Sequence, residues 1–139
     1  MQSEKVRVGI IGAGAVARIA HVPGYAADPR VEVVGITDLN QERAGELAAQ
    51  FNVPKVYSSA DAMLSEGRLD AVSICVANAF HAPLALQALR SGADVLVEKP
   101  MALSTAERPT DPVFDMEDFM SGFVTSITAQ HSRRRWRGQ

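Results

Sequence analysis

Residues 6–16 read VRVGIIGAGAV, and this stretch decides the fold. Val6, Val8, Ile10 and Ile11 make a short apolar run rich in β-branched side chains, the composition of a strand. Gly12, Gly14 and Ala17 follow at the spacing G-x-G-x-x-A, and the pattern then turns helical. Strand, glycine turn and helix in that order bring backbone N–H groups and a helix N-terminus to where a pyrophosphate can be held. Gly12 permits the tight turn, Gly14 lets the main chain approach the phosphates, and Ala17 keeps the helix close to the strand. Ala13, Ala15 and Val16 supply the amides between. The same residues also suit a tight strand-to-helix turn that holds no ligand.

Composition sets the bounds. A chain of 139 residues is one domain of ordinary size, long enough for a core without staples. Apolar residues at 47% exclude wholesale disorder. A formal net charge of −2 gives no general pull towards nucleic acid or an anionic membrane. The single cysteine, Cys75, excludes an internal disulfide framework and fits a reducing compartment. It lies in an apolar run and is expected to be a buried small hydrophobe. The opening MQSEKVRVGI has too short an apolar run for a secretory signal, and no stretch approaches the roughly 20 residues that span a bilayer. The expected location is cytoplasmic.

Working outward, residues 15–27 read as a helix with Pro23 as an internal stop or kink. Residues 31–37, VEVVGIT, form a second β-branched run ending at Asp38. Asn40 can cap a helix that places Ala44, Leu47, Ala48 and Phe51 on one face. Val56 and Tyr57 make a brief strand, and Ser59 can cap a short helix over 60–65 closed by Gly67. Residues 70–77 and 94–97 are further strands, with a helix over 81–90 between them and Gly92 past its end. Strands alternating with helices imply parallel pairing through right-handed crossovers. Unbroken apolar runs imply that both faces are covered. The expected fold is an α/β doubly wound parallel sheet.

The rhythm stops after Leu103. Residues 1–106 are the expected dinucleotide-binding domain, and 107–131 a short segment with a candidate edge strand at 123–127. Residues 132–139 are a basic tail around Trp136, expected to be frayed rather than to hold nucleic acid.

Three strand ends carry candidate chemistry. Asp38 ends the second strand about 20 residues after the glycine turn, where a carboxylate accepts hydrogen bonds from the adenosine ribose hydroxyls and repels a 2′-phosphate. No arginine follows directly, which favours NAD, while Arg43 keeps NADP open. Asp38 also suits a plain turn into the next helix. Asn78 and His81 follow the third long strand; they can meet a ribose or exchange a proton, or they can simply cap and begin a helix. Glu98, Lys99 and Pro100 follow the fourth. A lysine there can donate to a substrate oxygen, with Pro100 fixing the backbone and Glu98 positioning the ammonium. Elsewhere the same tripeptide would be ordinary surface.

Taken together, VGIIGAGAVA, ITD, VANAFH and VEKPMALS, in one register from about Val6 to Leu103, resemble the glucose–fructose oxidoreductase/inositol dehydrogenase (Gfo/Idh/MocA) family. The resemblance implies an N-terminal NAD(P)-binding Rossmann domain and hydride transfer between nicotinamide and a hydroxyl or carbonyl of a sugar, polyol or related small molecule. It puts Lys99 at the family's catalytic lysine position, with Gly12, Gly14, Asp38, Asn78, His81, Glu98 and Pro100 on the cofactor side. Ala77 stands where many members have proline. Members continue into a larger substrate domain, through which they commonly pair. Here the register stops near Glu107, and PVFDMEDFMSGFV resembles a short piece from late in that domain. The resemblance therefore implies a shortened relative. Two functions follow from it: an oxidoreductase, or a dinucleotide-binding module or partner subunit without turnover. A purely structural role is the third reading. An oligomer stays open.

Overall fold

A computed structural model describes residues 5–76, 81–97 and 124–125, without the side chains of residues 81 and 82. Strand β1 (Val6–Ile11) leads into a helical stretch over residues 15–26, α1. Then come β2 (Val31–Thr37), α2 (Gln41–Gln50), α3 (Ala60–Glu66), β3 (Ala71–Ile74), α4 (His81–Arg90) and β4 (Asp94–Val97). The strands are all parallel, in the order β2-β1-β3-β4. A single parallel bridge, Ile36 to Val56, extends the order beyond β2 and is what remains of the brief strand read at Val56 and Tyr57.

The two faces of the sheet carry separate apolar clusters. Val6, Val8 and Ile10 point to one side and pack with Ala17, Val22 and Tyr25 of α1 and Ala44, Leu47 and Ala48 of α2. Ile11, Val72 and Ile74 pack with Met63 of α3 and Ala88 of α4 in the other cluster. This is the two-sided burial that unbroken strand runs imply. Tyr25 and Ser73, both buried, share a hydrogen bond across the first cluster, which satisfies two polar groups the core would otherwise strand. Burial, the largest effect, raises the Tyr25 phenol far above its ordinary range, opposed in part by the bond to Ser73.

The expected caps are present. The Asn40 side chain accepts from the Arg43 amide at 3.1 Å, and Ser59 Oγ accepts from the Ala62 amide at 3.1 Å. Pro23 does not stop α1, contrary to one of the two readings of that residue. The turn Ala17–His21 widens to π geometry, in which the Val22 amide bonds the Ala17 carbonyl, and α-helix resumes over Val22–Ala26. Proline has no N–H to give and its ring crowds the carbonyl four residues back. A local π turn before it absorbs both.

Two further expectations are corrected. Cys75 is partly rather than fully buried, because it lies just past the end of β3. Of the candidate edge strand at 123–127, the described residues Val124 and Thr125 are helical. Val124 is buried in the first cluster and Thr125 Oγ1 accepts from Arg30 Nη1 at 2.8 Å, so packing against the body of the domain replaces pairing at a sheet edge. Among the described residues, no helix is long and apolar enough to cross a membrane.

Gly9 and Gly35 lie side by side in the β1–β2 pairing and leave the space that Met63, Tyr57 and Leu69 fill. A Cβ at Gly35 would come within 2.4 Å of the buried Tyr57 ring. Gly35→Ala is expected to lower stability by about 2 kcal/mol through overpacking. A urea midpoint equal to that of the parent chain would show that the Tyr57 ring gives way freely.

Candidate functional site

The strand register aligns the chain's turning points. Ile11 lies beside Thr37 on one side and Ile74 on the other, and Ile74 lies beside Val97. Gly12, Asp38 and Cys75 therefore leave the sheet along one edge. The chain passes from β1 to β2 on one side and then returns to place β3 on the other. In open α/β sheets, ligands bind in the crevice at such a reversal, outside the carboxyl ends of the strands.

The glycine turn is locked from both sides. The Gly12 amide donates to the Thr37 carbonyl at 2.8 Å, and the Cys75 amide donates to the Ile11 carbonyl at 2.7 Å. Gly12 has φ +103°, and a Cβ there would sit 2.4 Å from the Cys75 carbonyl oxygen. Two independent constraints thus require glycine at this position. Gly14 differs. Its φ is ordinary, and among the described residues nothing beyond its own chain neighbours lies within 4 Å of where its Cβ would be. The first helical hydrogen bond of α1 runs from the Arg18 amide to the Gly14 carbonyl at 3.1 Å, so the helix begins at the turn. Amides of a first helical turn have no acceptor within the helix. Ala15 and Val16, at that turn, are exposed.

Among the described residues, Asp38 is the most constrained polar side chain of the edge. Oδ2 accepts from the Ala13 amide at 2.7 Å and Oδ1 from the Asn40 amide at 2.7 Å. Arg43 Nη2 lies 3.5 Å from Oδ1. The Asp38 side chain is only 9% exposed, yet two amides and a guanidinium face its carboxylate. Burial is the largest single influence and disfavours its charge; the Ala13 and Asn40 amides and Arg43 together outweigh it and hold the carboxyl below its usual range. Gln41 Nε2 donates to the Asp38 and Tyr57 carbonyls at 2.8 and 3.2 Å, and Thr37 Oγ1 donates to the Tyr57 carbonyl at 2.9 Å. These bonds fix the backbone from which Asp38 projects.

The structure thus brings together Gly12, Ala13, Gly14, Ala15, Val16 and Asp38. His81 begins α4, but its side chain lies outside the described residues, as do Asn78, Glu98, Lys99 and Pro100. The sequence reading did not single out Thr37, Gln41 or the Cys75 carbonyl. The first two could have been found as polar side chains flanking a strand-end acid. The last is main chain and leaves no mark on the sequence except the glycine opposite it. Leu39, next to Asp38, is 99% exposed, an apolar side chain set at the rim of the edge.

A family described as oxidoreductases with an NAD-binding Rossmann fold, Gfo/Idh/MocA, matches residues 6–110. The chain belongs to this family. Its Gfo/Idh/MocA domain is 38% identical over 104 residues to D-glucoside 3-dehydrogenase of Escherichia coli (strain K12), covering 75% of this chain and 30% of that protein. The fold matches KijD10, a 3-ketoreductase from Actinomadura kijaniata in complex with NADP and TDP-benzene, with a TM-score of 0.66 and 32% identity over 70% of this chain and 30% of that one. It also matches GenD2 from gentamicin A biosynthesis in complex with NAD, with a TM-score of 0.66 and 32% identity over 75% of this chain and 29% of that one. The chain therefore spans about 30% of the length of the relatives it matches.

Gly12→Ala is expected to destabilise the fold by about 3 kcal/mol, from the backbone penalty and the clash with Cys75 together; an unchanged thermal midpoint would contradict the close approach. Because the folded-state carboxyl of Asp38 is held low, the unfolded chain takes up its proton first as pH falls. The stability this gives is complete above about pH 4 to 5 and is lost below it as the folded carboxyl protonates. Urea midpoints measured from pH 6 to pH 3 are expected to fall less steeply in Asp38→Asn than in the parent chain.

Proposed function

We propose that this domain holds a nicotinamide dinucleotide along the edge where β1, β2 and β3 end. In this reading it supplies the nucleotide half of an oxidoreductase acting on a hydroxyl or carbonyl of a sugar, polyol or related small molecule. The contrast between the two glycines of the turn carries the reading. Gly12 is glycine because the protein itself requires it, whereas among the described residues nothing requires it at Gly14. A ligand that approaches the main chain, as a pyrophosphate does at a helix N-terminus, supplies the reason. KijD10 in complex with NADP and GenD2 in complex with NAD, whose folds this chain matches in part, support the same ligand class.

In this reading Gly14, Ala15 and Val16 give amides to the pyrophosphate, and Asp38 takes the adenosine ribose hydroxyls. Asn78, His81, Glu98 and Pro100 complete the cofactor side. Bound nicotinamide supplies hydride exchange with the substrate carbon. Lys99 holds or gives the proton at the substrate oxygen. NAD is the preferred form because the Asp38 carboxylate repels a 2′-phosphate. Arg43, 3.5 Å from that carboxylate, is the cation that would serve NADP. The single cysteine favours a cytoplasmic setting. A second reading, a dinucleotide-binding module or partner subunit without turnover, would hold the same ligand along the same edge. Hydride transfer needs a substrate held in a closed cleft.

Titration with NADH, followed by nicotinamide fluorescence, is expected to show saturable binding that Gly14→Val abolishes while leaving the thermal midpoint unchanged. Retained affinity in Gly14→Val would refute the placement of the pyrophosphate. Lys99→Ala is expected to leave NADH affinity within about tenfold, roughly 1.4 kcal/mol, because its work is on substrate. A much larger loss would assign Lys99 to the cofactor. With the chain saturated in NADH or NAD, turnover of polyols or keto-sugars separates the oxidoreductase from the module.

A further inference from the structure

An aspartate at the end of the second strand has one task in the reading above, recognition of the ribose. The geometry points to a second: Asp38 is a positioning residue for the pyrophosphate-binding turn, which it grips through the Ala13 amide. The inference rests on the dinucleotide reading of the site.

Several observations converge. Residues 13 and 38 are far apart in the chain, and the 2.7 Å bond between Ala13 N–H and Asp38 Oδ2 is a side-chain tie from the glycine turn to the end of β2. It acts beside the main-chain bond from the Gly12 amide to the Thr37 carbonyl. The methyl group of Ala13 is fully buried, so its amide is directed by the core as well as by the carboxylate. Asp38 cannot swing away, since Oδ1 is held by the Asn40 amide at the first residue before α2. The carboxylate therefore spans the gap between the turn and the start of α2. Residues 12 and 13 are held, and Gly14 follows them directly, with no described residue beyond its chain neighbours within 4 Å of where its Cβ would be. Release of Ala13 would free the peptide that sets the direction of the next amide.

The acceptor count supports a shared role. A carboxylate offers about four lone-pair sites. Two are taken by amides at 2.7 Å, and the contact to Arg43 is the longest of the three at 3.5 Å. Two ribose hydroxyls can then be accepted if Arg43 yields, and the grip on Ala13 persists with the ligand in place. Ribose recognition and turn geometry are thereby joined in one side chain.

The test compares NADH with its analogue lacking both adenosine ribose hydroxyls, on the full chain and its variants, with thermal midpoints recorded throughout. Asp38→Ala is expected to weaken binding of the analogue by about tenfold, the scale of one hydrogen bond to a charged group. Asp38→Asn, which keeps one acceptor oxygen, is expected to recover part of that loss. Arg43→Ala, which leaves both amide bonds intact, is expected to bind the analogue like the parent chain. Amide exchange at Ala13 is expected to quicken in Asp38→Ala, a readout that needs no ligand. If Asp38→Ala binds the analogue like the parent chain while losing affinity for NADH, Asp38 serves the ribose alone and the inference is overturned. If the parent chain binds neither ligand, the dinucleotide reading itself fails, and this inference falls with it.

Discussion

A side chain at residue 12 would have to begin where the Cys75 carbonyl already is. That exclusion is the constraint on which the rest of the edge depends. It lets the end of β3 come against the turn leaving β1, so that two strands on opposite sides of the chain reversal meet with no side chain between them. The Thr37 carbonyl then closes on the Gly12 amide from the β2 side. The three strand ends are held as one unit by main-chain bonds, and the functional groups inherit their places from it.

On this frame the charges fall into place. Asp38 is set on a strand end braced by Thr37 and Gln41, and its carboxylate faces the turn and the start of α2 at once. Its low-lying ionisation is the electrostatic expression of that geometry, since amide dipoles and a guanidinium outweigh the cost of burial. In the proposed reading, an anion already stabilised by the protein accepts from the ribose hydroxyls and repels a 2′-phosphate.

Much of this was legible in the residues. Gly12, the β-branched runs, Asn40 and Ser59 announce local rules, and the order of strands follows from alternation and handedness. What was not legible has physical causes. Pro23 marks a disturbance without saying whether the helix breaks or widens; the π turn at Ala17–His21 is settled by the packing of Val22 and Tyr25 in the core. The Ala13 amide reads as one of several open to a phosphate, and only the third dimension shows that Asp38 holds it. Phe123 to Ile127 has strand-like composition, but Val124 and Thr125 are helical, where burial of Val124 and the bond from Arg30 override a weak local preference. The spacing G-x-G-x-x-A gives the two glycines different tasks, but the Cys75 carbonyl that fixes Gly12 appears only once the strands are in register.

In the proposed function, the turn between β1 and α1 presents its amides to a pyrophosphate. Backbone amide resonances of the 15N-labelled chain, followed while NADH is added, test it most directly. Gly14, Ala15 and Val16 are expected to shift most, while the α2 amides of Gly45 and Glu46, on the far side of Asn40, stay in place. Saturable binding with its largest shifts away from the turn, or addition of NADH with no shift at all, would contradict it.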